Sequence, residues 1–115
     1  MSTVIYGIPN CDTIKKAKKW LTERDIEFTF HDYRKDGVDS EFLQRAEAHL
    51  GWEVMLNKRG TTWRKLPDEV RDTISAQSAH QIMLDTPSII KRPVVERGDG
   101  VSVGFNADDW SAWLS

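Results

Sequence analysis

The first third of the chain permits few arrangements. Thr3 to Ile8 is rich in β-branched and aromatic residues, and Gly7, Pro9 and Asn10 punctuate its end, so it reads as a short strand running into a turn. Ile14, Ala17, Trp20 and Leu21 then recur at helical spacing, with Lys15, Lys16, Lys18 and Lys19 falling largely between them. That pattern predicts an amphipathic helix with a basic outer face. From Glu27 to Tyr33 the period changes to two, with Ile26, Phe28 and Phe30 on one face and Glu27, Thr29 and His31 on the other, which predicts a second strand. Strand, helix and strand within the first 33 residues make a βαβ unit, whose strands run parallel through a right-handed crossover.

Tyr33 to Gly37 reads as a polar turn leaving the sheet. From Asp39 to about Thr86 the pattern is helical. Asp39 or Ser40 caps a helix carrying Phe42, Leu43, Ala46 and Leu50, and Gly51 stops it. Trp52, Val54, Met55 and Leu56 suggest a short apolar turn, followed by the polar stretch Asn57 to Thr62. Pro67 opens a helix through Val70 and Ile74, and Ser78 another through Ile82, Met83 and Leu84, with Trp52 and Trp63 as core anchors of this lobe. Strands return at Ile89 to Val95 and Val101 to Phe105, joined by Gly98-Asp99-Gly100 as an antiparallel hairpin, and Asp108 to Leu114 closes the chain as a helix. The expected fold is one α/β domain over residues 1–115: β-α-β, a helical insertion at about 39–86, then β-β-α. Pro93 is odd inside an apolar β run. It removes a ladder donor and so belongs at an edge, a strand start or a bend; a cis bond presenting backbone to a substrate is the rarer alternative.

Cys11 stands at the strand-to-helix junction and is the single cysteine of the chain. With Asn10 as N-cap it falls in the first helical turn, among free N–H donors and the positive end of the helix dipole. A cysteine of pKa about 8.5 needs roughly 2 kcal/mol of differential stabilisation to reach a pKa of about 7. The dipole contributes about 0.3–1 kcal/mol, so an activated thiolate here requires amide hydrogen bonds and a nearby cation. A lone cysteine is ordinarily a small buried hydrophobe, but flanking Asn10, Asp12 and Thr13 do not make an apolar niche.

Composition narrows the partners. A formal net charge of −2 argues against nucleic acid or an anionic membrane as the main partner. There is no apolar run of membrane-spanning length and no signal-peptide core, which makes the cytosol the expected compartment. One cysteine forbids an internal disulfide, so redox chemistry must borrow a second thiol. His31, His49 and His80 are scattered without partners at ligand spacing, so no metal is expected.

Three separated blocks, Ile8 to Ala17, Leu56 to Leu66 and Ile89 to Pro93, resemble the Spx/arsenate reductase (ArsC) family, in particular its YffB-like branch. The resemblance implies a thioredoxin-like fold with a mixed four-stranded sheet, a nucleophilic Cys11, and a cis peptide before Pro93 beside it. It also implies anion-gathering arginines, for which Arg92 and Arg59 are the candidates. Three departures bear on the substrate. Gly7 and Lys15 stand where family arsenate reductases carry a histidine and an arginine, and the region of Gly104 lacks a third arginine. An arginine fork suits a tetrahedral oxyanion better than a lysine does. In the regulator branch, which binds RNA polymerase, a Cys-x-x-Cys switch opens the helix; here Ile14 replaces the second cysteine, leaving only a redox-independent binding role.

The function expected from residues and resemblance together is a glutathione-dependent thiol–disulfide oxidoreductase with a monothiol cycle. Cys11 is the nucleophile, amides near Asp12 and Thr13 hold its charge, and Lys15 or Arg92 supplies the cation. Asn10, Thr13, Lys15, Arg59, Arg92 and Pro93 form the expected substrate site, the basic residues pairing with glutathione carboxylates and the backbone beside Pro93 bonding the tripeptide as a strand would. No bound cofactor is expected, glutathione being a co-substrate; the partners are glutathione, glutaredoxin or a protein disulfide, and the chain is expected to be a monomer. An arsenate reductase and a binding module are the alternatives.

Overall fold

The computed structural model describes residues 2–9 and 11–114. Its sheet is built from β1 (Thr3–Gly7), β2 (Thr29–Asp32), β3 (Val94–Arg97) and β4 (Gly100–Val103), in the order β2-β1-β3-β4. β1 runs parallel to β2 and antiparallel to β3, which in turn is antiparallel to β4. The sheet is therefore mixed and four-stranded, and the fold is thioredoxin-like.

Side chains alternate along each strand, so the sheet separates two cores. Ile5 and Val95 face α1 (Asp12–Glu23) and α8 (Ala107–Leu114), where Ile14, Ala17, Trp20, Leu21, Trp110 and Leu114 are buried. Tyr6 and Val94 face the insertion, with Tyr33, Phe42, Leu43, Met55, Met83 and Ile90. The expected helical pattern of α1 is thus met: its apolar stripe lies on the sheet, while Lys15, Lys16 and Lys19 are exposed.

The insertion holds α3 (Ser40–Leu50), α4 (Trp52–Met55), α5 (Thr61–Arg64), α6 (Asp68–Asp72) and α7 (Ala76–Asp85). α3 is as expected: Asp39 accepts from the Phe42 amide at 2.7 Å, and Gly51 closes the helix at φ 84°. Elsewhere the boundaries differ. β2 stops at Asp32, because the Asp32 carboxylate caps a short helix α2 (Tyr33–Asp36) where a polar turn was expected, and Tyr33 is buried beneath it. α7 starts at Ala76, not Ser78, because Ser75 and Ser78 form a reciprocal capping box. α5 rises from a stretch expected to be irregular, and α6 ends short of Ile74. Trp52 and Trp63 are only half-buried at the rim of the insertion core.

The apolar run Ile89 to Val95 is not one strand. Pro87–Ile89 is a 3-10 turn, Ile90 forms an isolated bridge to Leu56, and β3 starts only after a cis peptide between Arg92 and Pro93. β4 ends at Val103, ahead of Gly104 at φ 83°. Pairing of Tyr6 with Val94 sets the end of β1 beside this cis bond. That register positions the site.

Candidate active site

Cys11 is the N-cap of α1, with extended backbone (φ −109°, ψ 128°), rather than a residue of its first turn. The expected N-cap, Asn10, lies outside the described residues. The Cys11 carbonyl accepts the first helical bond, from the Lys15 amide at 3.0 Å. At this position the side chain faces the amides of the second and third helical residues, Thr13 and Ile14. These are the amides that serve the thiol, in place of the pair near Asp12 and Thr13 expected from the sequence. The neutral thiol itself makes no capping hydrogen bond.

The half-buried thiol is subject to opposing effects. Burial is the largest and pushes its pKa up, but the amides of Ile14 and Thr13, then the hydrogen-bonding and charge of the Arg92 guanidinium, outweigh it. Cys11 therefore lies below an ordinary cysteine. Of the two cations expected, Arg92 acts on the sulfur; the Lys15 side chain is exposed on the helix surface. Arg92 is steadied by donating from Nη1 to the Ser88 carbonyl at 3.1 Å.

Gly7 leaves room for Ile14 of α1 at the end of β1. A Cβ there would collide with Cδ1 of the fully buried Ile14 and lie 3.9 Å from Cβ of Arg92. Ile14 thus fills the space that a side chain at Gly7 would need. Pro93 is buried, and its carbonyl accepts from the Gly104 amide at 2.8 Å, while the Lys91 amide donates to the Met55 carbonyl at 2.8 Å. Among the described residues, the backbone N–H and C=O of Arg92 make no such bond.

Arg59 is not brought together with Arg92: it is exposed and lines an outer recess with Glu53, Asn57, Lys58 and Lys91. The recess that Arg92 does line, about 180 Å³, holds residues that the sequence reading passed over: Arg34, Asn57, Thr61, Thr62 and Ser88. Arg34 sat in what read as a plain polar turn, and nothing in the periodicity marks Ser88. Among the described residues, the buried Tyr33 hydroxyl has no hydrogen-bond partner; burial holds its pKa up, and the Arg92 charge partly offsets that. A larger depression of about 740 Å³, around Thr22, Asp25, Glu27 and Phe28, lies by the loop between α1 and β2, and neither Cys11 nor Arg92 lines it.

No three His, Cys, Asp or Glu residues among the described ones cluster as metal ligands. His31 bonds the Gly37 carbonyl, His49 the Arg45 carbonyl, and His80 lies between Ser40 and Glu47. No described helix is long and apolar enough to cross a membrane.

Fold and site define a thioredoxin-like protein with one lowered thiol, acted on by the arginine that precedes a cis-proline. The chain belongs to the ArsC family, whose model matches residues 6–113. It is similar to an uncharacterized protein of Haemophilus influenzae (44% identical, 94% of this chain and 95% of that protein) and to the global transcriptional regulator Spx of Staphylococcus aureus (28%, 96% and 85%). Among solved structures it is similar to the YffB protein (TM-score 0.95, 45% identity, 99% of this chain and 100% of that one). It is also similar to an arsenate reductase (ArsC) related protein from Brucella melitensis (TM-score 0.79, 50% identity, 98% and 94%).

Proposed function

We propose that the chain is a glutathione-dependent thiol–disulfide oxidoreductase with a monothiol cycle, acting in a reducing, cytosolic compartment. The observation that carries this reading is the thiol of Cys11, held below an ordinary cysteine by two amides and Arg92 in a chain with no second cysteine. Membership of the ArsC family and likeness to an arsenate reductase-related structure support a thiol oxidoreductase role.

The cycle has two exchanges. The Cys11 thiolate attacks the glutathione sulfur of a mixed disulfide; that S–S bond breaks, the substrate leaves as a thiolate that takes a proton from water, and Cys11 carries glutathione. A second glutathione thiolate then attacks the glutathione sulfur on Cys11, releasing glutathione disulfide and the Cys11 thiolate. Over the cycle the mixed disulfide and one free glutathione give the substrate thiol and glutathione disulfide, the substrate sulfur being reduced as the second glutathione sulfur is oxidised. Arg92 and the Thr13 and Ile14 amides favour the thiolate in the resting enzyme and as the leaving group of the second step. The backbone of Arg92, without a backbone bond among the described residues, is available to bond an extended tripeptide as a strand does.

Arsenate is the less favoured substrate, because one guanidinium meets the sulfur while Lys15 is exposed and Arg59 lines a different recess. The test is turnover of the mixed disulfide of glutathione and 2-mercaptoethanol, coupled to glutathione reductase, with arsenate in parallel. Turnover that disappears in Cys11→Ser is expected; turnover that survives Cys11→Ser, or reduction of arsenate alone, would overturn the reading.

A further inference from the structure

We propose that the recess beyond Arg92 is a carboxylate subsite for the small thiol that Cys11 exchanges with, and that Arg34 is its second cation. The inference rests on the thiol exchange proposed above and names how the exchanging molecule is held. Four separated parts of the chain form the recess: Ile8 after β1, Arg34 on α2, the stretch from Asn57 into the start of α5, and Ser88 with Arg92 ahead of β3.

Its polar side chains are donors. Arg34 and Arg92 have no acceptor, Asn57 carries an amide, Thr61, Thr62 and Ser88 carry hydroxyls, and no carboxylate lines the space. Local bonds orient them. Asn57 Oδ1 accepts from the Arg59 amide at 3.3 Å, while its Nδ2 lies over Gly60, 3.0 Å from where a Cβ would stand. The Thr62 and Ser88 hydroxyls are 3.4 Å apart, and the Ser88 carbonyl holds Arg92. Among the described residues, neither Arg34 nor Arg92 forms an ion pair.

Two arginines border a donor-lined space, Arg92 half-buried and Arg34 exposed on α2, and neither is ion-paired among the described residues; such a space calls for an acceptor-only anion, and a planar carboxylate matches the arginine fork. A volume of about 180 Å³ suits an end group rather than a whole peptide. Because Arg92 belongs both to the recess and to the surroundings of the thiol, a substrate anchored here keeps its sulfur near Cys11.

The test uses the full chain and S-methylglutathione, a thioether that cannot exchange. Its titration is expected to shift the amide resonances of Thr61, Thr62 and Ser88, and Arg34→Gln is expected to weaken binding about tenfold. Two analogues of the probe, each with one carboxylate converted to an amide, identify the docking group. One should bind the wild type about tenfold more weakly and be indifferent to Arg34→Gln. Affinity insensitive to both amidations, or unchanged in Arg34→Gln, would overturn the subsite. The probe does not react, so the outcome is independent of turnover: binding without mixed-disulfide turnover would overturn the proposed activity and leave the subsite standing, and turnover without this binding would do the reverse.

Discussion

At the scale of single residues, the account turns on a cysteine doing the work of a helix cap. Serine is a far better N-cap than a neutral thiol, so Cys11→Ser is expected to abolish thiol exchange while stabilising the fold at pH 6 by about 0.5–1 kcal/mol. The sign reverses its trend with pH. Folding lowers the thiol pKa, so the contribution of the thiolate is present above its unfolded value of about 8.5 and is lost as pH falls through the folded value. The advantage of serine should therefore shrink between pH 6 and pH 9, which urea unfolding at the two pH values measures. Gly7→Ala drives a methyl into Ile14 and is expected to cost about 1–3 kcal/mol, much less in an Ile14→Val background. Cys11 and Arg92 were legible in the sequence, through a helix start and a neighbouring proline. The cap was misplaced by one residue because Asn10 and Cys11 are adjacent and residue type favours asparagine; the backbone angles of Cys11 decide it. Arg34 was illegible because its role depends on α2, a helix created by the Asp32 side chain.

At the scale of elements, side-chain caps and one polar cross-link fix how the insertion sits on the sheet. The Asp39 cap of α3 is expected to be worth about 1 kcal/mol, read as the loss in urea stability of Asp39→Ala. Glu96 on β3 accepts from the Tyr6 hydroxyl on β1 at 2.5 Å and from Arg45 on α3 at 3.0 and 3.2 Å. Burial raises the Glu96 pKa most, but the hydrogen bonds from Arg45 and Tyr6 and the Arg45 charge together bring it below an ordinary glutamate. Its contribution is accordingly present above the unfolded value of about 4.3 and lost as pH falls through the folded one. Glu96→Gln should flatten the acid limb of the stability profile below about pH 4.3 and leave the neutral region parallel to wild type. Helices with strong apolar periodicity, α1 and α3, were legible to within a residue or so. The strand before Pro93 was not, because Ile89 and Ile90 are apolar for a different reason: they pack into the insertion core from a 3-10 turn and a lone bridge.

At the scale of the whole molecule, two cores meet across one sheet and the thiol packs against only one of them, that of α1 and α8. Met83→Ala, in the other core, is expected to lower stability by about 2–5 kcal/mol through the cavity it leaves. The order β-α-β, insertion, β-β-α was legible because a βαβ unit and a hairpin leave little freedom in topology, whereas the recess beside Arg92 joins four distant stretches that no local pattern links. The central claim is that Arg92 and the helix-start amides hold Cys11 as an activated thiolate. Its most direct measurement is the rate of Cys11 alkylation by iodoacetamide between pH 5 and 10, in wild type and Arg92→Ala. The account predicts a wild-type midpoint below about 8.5 that rises when Arg92 is removed. A midpoint at or above that value, or one that Arg92→Ala leaves in place, would contradict it.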